Sequence, residues 1–383
     1  MRINNIMRMA LLAVALASAG PAAANPSMLF DLNSGRVLQH QDAFKRWYPA
    51  SLTKLMTAYV AFRAIEAGEV QLDSPIRISR KAASQIPAKI GFKPGSVVTL
   101  DNALKMMLVR STNDIAMAIG ENIGGSQELF AQRMNREAAR LGMTDTHYSN
   151  PNGLFSPDQF TTARDQALLV MAMRRDYPQY SGYYSIEGLR VGKRALNNFN
   201  LLIGRYEGAD GMKTGFVCES GFNLIGSATR NGRTLVAIVL GSKNAHSRAE
   251  AAAAMLDEGF ANPQAGAQIV AALPFYGDAS REPVNQRPII CPTPVKGAKQ
   301  EQPSEQAQEQ ANSRFKKKLD RPAKLVEVGL GGATGPVPLA RRGQEDEDVA
   351  DVPLPSWRPD IPAPAGYSVA VQGDSGASGE PSK

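Results

Sequence analysis

Tyr48-Pro49-Ala50-Ser51-Leu52-Thr53-Lys54-Leu55-Met56-Thr57 is the stretch on which the reading of this chain turns. From Ser51 onward the apolar residues Leu55, Ala58, Tyr59, Phe62 and Ile65 share one face at helical spacing. Ser51 and Lys54 stand three apart at the predicted helix start, so their side chains emerge on the same face. A serine hydroxyl is a weak nucleophile and needs a base. The three histidines, His40, His147 and His246, lie in no recognisable triad setting. Lysine is the alternative base: a neutral Lys54 can take the Ser51 proton, which requires burial and a nearby positive charge to lower its pKa. Lys213 is the natural source of that charge.

Alone, Ser-x-x-Lys is a weak signal. It recurs at Ser313-Arg314-Phe315-Lys316, and without further support Ser51 reads as a helix cap and Lys54 as a surface residue. The weight comes from two further motifs in order, Ser111-Thr112-Asn113 and Lys213-Thr214-Gly215. The first sits between two helical segments, in a turn that aims short polar groups into a cleft. There Ser111 can relay a proton to a leaving amine, and Asn113 can hold Lys54 and a substrate amide. The second lies on a strand whose edge can pair with an extended peptide, while Lys213 and Thr214 meet a carboxylate. Gly215 removes the side chain where substrate must approach closely. A second Ser-x-Asn at Ser242-Lys243-Asn244 has no such neighbours, and Gly373-Asp374-Ser375-Gly376 mimics a protease nucleophile motif in a stretch without strands.

Outward from these motifs, strands are predicted over 27–32 and 36–40 across the Asn33-Ser34-Gly35 turn, then helices over 51–65, 103–109, 114–123 and 128–141. Thr162 caps a further helix to about Arg174, with Asp165 three residues on. Strands come next over 211–217, 222–229 and 234–240, the last two joined at Asn231-Gly232, and a helix over 247–258 closes the unit. Strands at both ends with helices between them predict an α/β (α+β) fold, an antiparallel sheet flanked by helices with an inserted helical subdomain.

The chain divides into three parts. Residues 1–24 carry Arg2 and Arg8, an apolar run and Ala22-Ala23-Ala24, the pattern of a signal peptide for export to the periplasm or cell envelope. Residues 25–262 form the catalytic unit. Residues 263–383, rich in Pro, Gln and Gly, read as a largely disordered tail with one strand near 324–328, able to support peripheral envelope association. With 383 residues and a net charge of +7, the chain suits an anionic envelope or a substrate carboxylate, and no nucleic-acid motif is present. Two cysteines, Cys218 and Cys291, are compatible with one disulfide that spacing alone does not establish, and no metal site is legible.

The three motifs, with Met143-Thr144-Asp145-Thr146-His147-Tyr148, Asn152-Gly153-Leu154, Thr162-Ala163-Arg164-Asp165, Asp210-Gly211-Met212 and the hairpin 223–241, resemble the low-molecular-mass penicillin-binding proteins, specifically the serine D-alanyl-D-alanine carboxypeptidases. The resemblance covers roughly 25–260 and implies the serine β-lactamase/transpeptidase-like fold. It implies Ser51 as acyl-enzyme nucleophile, Lys54 as general base, and Ser111 and Asn113 as relay and positioning groups. It further implies Lys213, Thr214, Gly215 and Arg248 at the substrate carboxylate, with the backbone N–H groups of Ser51 and Phe216 as oxyanion hole. Peptidoglycan stem peptides are the implied substrates and β-lactams the inhibitors, with no metal or organic cofactor. A β-lactamase and a D,D-endopeptidase share the same residues, although no Glu-x-x-Leu-Asn lies between the second and third motifs. A catalytically silent envelope protein is the alternative of another kind, against which the intact triple speaks. Two features depart from many relatives: Thr112 stands where glycine is common, and the tail shows neither a β-sandwich nor an amphipathic membrane helix.

Overall fold

The computed structural model describes residues 25–264, 266–277, 282–292, 313, 315, 319 and 321–341. The proposed signal peptide and Gly373-Asp374-Ser375-Gly376 lie outside them. Strands β1 (Ser27–Asp31) and β2 (Val37–Gln41) at the start combine with β7 (Ala209–Val217), β8 (Gly221–Arg230) and β9 (Arg233–Ser242) from much later in the chain. They form one antiparallel sheet in the order β2-β1-β9-β8-β7. The sheet predicted from both ends of the catalytic unit is therefore present, each strand within one to two residues of its expected limits.

Alternation along the strands assigns the two faces. Met28 and Phe30 of β1, with Val236, Ile238 and Leu240 of β9, face the larger core. Their neighbours Leu29, Leu235, Ala237 and Val239 face a second, smaller core. That second core is closed by Ala249, Ala252, Ala253 and Leu256 of α7 (Ala245–Ala261). Between β2 and β7 the chain inserts α1 (Thr53–Glu66), α2 (Arg80–Ala83), α3 (Leu100–Arg110), α4 (Asn113–Gly124), α5 (Gln127–Arg140) and α6 (Ala163–Asp176). Residues Thr53 through Phe62 of α1 are all buried, so this helix is a central pillar rather than an amphipathic surface element.

Small strands that periodicity does not reveal complete the insert. β3 (Pro75–Arg77) pairs with β4 (Val97–Thr99), and β5 (Gly188–Val191) pairs with β6 (Arg194–Asn197). In α6 the Thr162 hydroxyl accepts from the Asp165 N–H at 3.0 Å, as predicted. The Asp165 carboxylate does not return the bond, because it accepts from Asp145 N and Thr146 Oγ1 instead.

Several pieces of the segment after residue 262 are built onto the body. The predicted strand near 324–328 is β10 (Leu325–Glu327), parallel to β5. Arg321 forks onto Glu187, and Phe315 is buried in the smaller core. Gln286 N–H bonds Glu219 O, α8 (Arg287–Ile290) comes next, and Cys291 is joined to Cys218 in a disulfide. The two cysteines that spacing left undecided are therefore paired.

Candidate active site

Two breaks in regular structure converge on the free edge of the sheet. Ahead of α1 the chain makes a short 3-10 turn, Ala50–Leu52, with Ala50 at φ +47°. A non-glycine residue there costs about 1–2 kcal/mol, a strain retained next to Ser51. Between α3 and α4, Ser111 ends one helix in the left-handed conformation at φ +57°, and Thr112, extended, begins the next. Two helices thus meet at the Ser-Thr-Asn motif without a loop. Opposite both, β7 forms the free edge of the sheet and carries Lys213, Thr214 and Gly215.

Gly215 shows how tightly these pieces fit. A Cβ at this position would stand 3.0 Å from Pro49 O, 3.1 Å from Ser51 N and 3.2 Å from Leu52 N. Asn223 of β8 locks the same approach: its amide donates to Tyr48 O at 3.0 Å and Pro49 O at 3.2 Å, while its oxygen accepts from Gly241 N at 2.9 Å. On the other side Gly153, at φ +78°, lies so close to Ala50 that a Cβ would fall 2.0 Å from its carbonyl oxygen.

Lys54 is fully buried. Its Nζ donates to Ser51 Oγ at 3.0 Å, to Asn113 Oδ1 at 2.8 Å and to the Asn152 carbonyl. Burial pulls its pKa down to about 7, against a smaller opposing effect of the Asp114 carboxylate. Lys213, also buried, donates to Ser111 Oγ at 2.9 Å and to Thr214 O at 2.8 Å. Burial first, then the charges of Lys54 and Arg248, hold it well below the ordinary lysine value. The expectation that Lys213 supplies the charge depressing Lys54 is thus corrected: desolvation depresses Lys54, and repulsion between the two amines is felt at Lys213. Arg248 reaches from α7 to Gly215 O and Asn223 O, both at 3.1 Å, and burial lowers it to about 9.

Ser51, Ser111, Asn113, Thr214, Gly215, Phe216 and Arg248 all line one cleft of about 780 Å³, with Lys54 and Lys213 beneath its floor. The residues that the resemblance implies for the site are therefore brought together at this cleft. Ile86, Leu154, Phe155, Phe199 and Phe216 make its walls largely apolar. The competing motifs are occupied elsewhere. Ser313 donates to Glu250 at 2.8 Å, and Asn244 caps α7 by accepting from His246 N and Ser247 N.

Asn223 and Asp114 join the site without having been singled out by sequence reasoning, and Asn152, quoted above within a motif of the resemblance, was given no role there. Asn152 acts through its backbone carbonyl, which leaves no side-chain signature. Asn223 carried a usable signal, since an amide inside an otherwise apolar strand demands partners. Asp114 directly follows the second motif and accepts from Ile90 N at 3.3 Å and Gly91 N at 2.9 Å, tying the 86–91 loop to the site. The Thr112 hydroxyl is buried without a hydrogen-bond partner among the described residues, and nothing in the structure explains it.

The sheet, its helical insert and the cleft at the edge of β7 share their architecture with solved penicillin-binding proteins. Penicillin-binding protein 5 from Haemophilus influenzae superposes with a TM-score of 0.60 at 32% identity, over 62% of this chain and 71% of that one. Penicillin-binding protein D2 from Listeria monocytogenes, solved in an ampicillin-bound form, gives a TM-score of 0.55 at 29% identity, over 62% of this chain and 97% of that one. Among curated proteins, D-alanyl-D-alanine carboxypeptidase DacC of Escherichia coli is 36% identical over 240 residues, 61% of this chain and 60% of the relative. The family model for D-alanyl-D-alanine carboxypeptidase, peptidase S11, matches residues 13–244. The chain belongs to that family. It spans about 60% of the length of DacC. No helix among the described residues is long and apolar enough to cross a membrane.

Proposed function

We propose that this chain is a serine D-alanyl-D-alanine carboxypeptidase that removes the terminal D-alanine from peptidoglycan stem peptides and is acylated by β-lactams. The observation that carries the reading is the buried Lys54 amine, 3.0 Å from Ser51 Oγ with its pKa drawn to about 7. An amine so placed is half neutral near physiological pH and in contact with the proton it must remove.

The extended substrate adds to the free edge of β7 with its terminal carboxylate toward Lys213, Thr214 and Arg248. An incoming carboxylate favours the charged form of Lys213 and so opposes the effect of its burial. Lys54 takes the Ser51 proton as Oγ attacks the penultimate carbonyl. The N–H groups of Ser51 and Phe216 receive the developing oxyanion, each such donor contributing about 3–4 kcal/mol. As the C–N bond breaks, Ser111, held by the Lys213 amine, relays the proton that Lys54 took to the departing D-alanine amine, which leaves Lys54 neutral again. Water, activated by Lys54 in the vacated half of the cleft, then hydrolyses the Ser51 ester. A penicillin keeps its leaving group tethered in that half and obstructs the water, so its ester persists. The apolar walls suit the non-carboxylate side of a β-lactam, and the ampicillin-bound Listeria relative supports this use of the cleft. Export through residues 1–24 to the periplasm or cell envelope belongs to the same proposal.

The test sets D-alanine release from a pentapeptide mimic beside penicilloate release from a labelled penicillin. Ready D-alanine release with a penicilloyl ester lasting minutes supports the carboxypeptidase. Rapid penicillin turnover with negligible D-alanine release would make the protein a β-lactamase.

A further inference from the structure

Beyond Phe216 the cleft continues along a wall that the catalytic steps do not use. Cys218 and Glu219 come directly after β7, and both line the cleft together with Arg287 from the later segment 282–292. Glu219 is a nearly buried carboxylate, its side chain 5% exposed, whereas the Arg287 side chain is 56% exposed. Arg287 Nε and Nη2 both approach Glu219 Oε1 at 2.7 Å. The third guanidinium nitrogen, Nη1, has no hydrogen-bond partner among the described residues. Two bonds fix the segment on this wall, the Cys218–Cys291 disulfide and Gln286 N–H to Glu219 O at 2.9 Å, while Asn285 Oδ1, accepting from Arg287 N at 2.9 Å, holds the turn within the segment.

Direction along β7 says which part of a substrate meets this wall. With the terminal carboxylate held near Lys213 and Thr214, and the scissile carbonyl at Ser51 and Phe216, the acyl side must run on toward Glu219. Glu219 stands three residues past Phe216, in the turn that follows the end of β7 at Val217, so the two are at most about 10 Å apart, within reach of a long side chain on the residue preceding the D-Ala-D-Ala pair. Arg287 pairs with the nearly buried Glu219 carboxylate and keeps one donor unused, while Glu282 of the same segment adds a second carboxylate close enough to act on Tyr48.

We propose that Arg287 is a specificity-determining residue that selects substrates carrying a carboxylate on the side chain preceding D-Ala-D-Ala, held in place by Glu219 and the Cys218–Cys291 disulfide. This rests on the carboxypeptidase reading above. The pairing is a charge-assisted hydrogen bond at a partly exposed site, so its contribution is moderate.

The experiment uses the full chain with its disulfide intact and two substrates that differ in charge alone: acetyl-L-α-aminoadipyl-D-Ala-D-Ala and its side-chain carboxamide. The readout is the acid-to-amide ratio of kcat/KM for D-alanine release, in which the fraction of folded enzyme cancels. The parent protein is expected to prefer the acid by about 3–10-fold. Arg287→Ala should bring the ratio below one, because Glu219 then faces the substrate carboxylate unpaired, and Arg287→Lys should restore part of the preference. Replacing both cysteines by serine should move the ratio toward one; an unchanged ratio there would overturn the role given to the disulfide. A parent ratio of one, or an unchanged ratio in Arg287→Ala, would overturn the selection itself. D-alanine release from neither substrate would instead refute the carboxypeptidase reading on which it rests.

Discussion

Acylation should switch on with the deprotonation of Lys54. Holding this ammonium at about 7 instead of the ordinary 10.5 disfavours the charged form by about 5 kcal/mol. The neutral fraction then rises from about one-tenth at pH 6 to about nine-tenths at pH 8, a roughly tenfold gain in acylation rate. An exposed lysine of ordinary pKa would instead give a rate still climbing about tenfold per pH unit through pH 8, with no levelling off below about pH 9. The perturbation is pH itself, and the assay is the pseudo-first-order rate of labelling by a fluorescent penicillin, whose own charge is constant over this range. Replacing Asp114 by Asn supplies a second, directional check. Its carboxylate favours the charged form of Lys54, so its neutralisation should move the midpoint of the profile lower. A rate that is flat between pH 6 and 8 in the parent protein would refute the assignment of Lys54 as base, as would a midpoint near that of free lysine. The same linkage has a stability consequence. Between about 7 and 10.5 the unfolded chain holds more protons at this position, so the contribution of Lys54 to stability grows as pH rises through that window.

Gly215→Ala should slow acylation by about 100-fold, because its Cβ would push on Pro49 O and Ser51 N at 3.0 and 3.1 Å; the labelling rate measures this. Lys213→Ala should penalise peptides ending in a free carboxylate far more than the corresponding amides, and equal losses on both would contradict its role. Opening the Cys218–Cys291 link, which closes 73 residues, should cost on the order of 4 kcal/mol by denaturant unfolding. Deleting residues 313–383 should lower the melting temperature, since it removes β10, the Arg321–Glu187 fork and the buried Phe315.

The sheet and main helices were legible because their residues alternate at period two or recur at helical spacing over long enough runs. Asn231-Gly232 announced the β8–β9 hairpin, and the Thr162 hydroxyl announced the start of α6. The short strands β3 to β6 were not legible. Segments of three or four residues, such as Pro75–Arg77, offer too little pattern and exist through tertiary pairing. At the site, residue types and their order were sufficient to gather every proposed group. What the sequence could not supply was cause and contact. Desolvation of Lys54 depends on α1 being buried all round, and the Asn152 carbonyl is invisible in any side-chain pattern. Arg287 stands on the cleft wall in a segment joined to it by a disulfide between cysteines 73 residues apart, a pairing that spacing does not reveal. Much of the chain beyond residue 262 carries little apolar surface, yet parts of it are seated by the buried Val270, Phe315 and Val328 together with the disulfide and the Arg321–Glu187 pair.

The central claim is that Ser51, deprotonated by Lys54, forms the covalent intermediate, and mapping the site of a trapped penicillin tests it most directly. The purified full chain is incubated with labelled penicillin, digested, and sequenced by mass spectrometry. The adduct should sit on Ser51 alone, be lost in Ser51→Ala with the fold intact by circular dichroism, and form far more slowly in Lys54→Ala. An adduct on Ser111 or Ser313, or labelling that survives Ser51→Ala, would contradict the assignment.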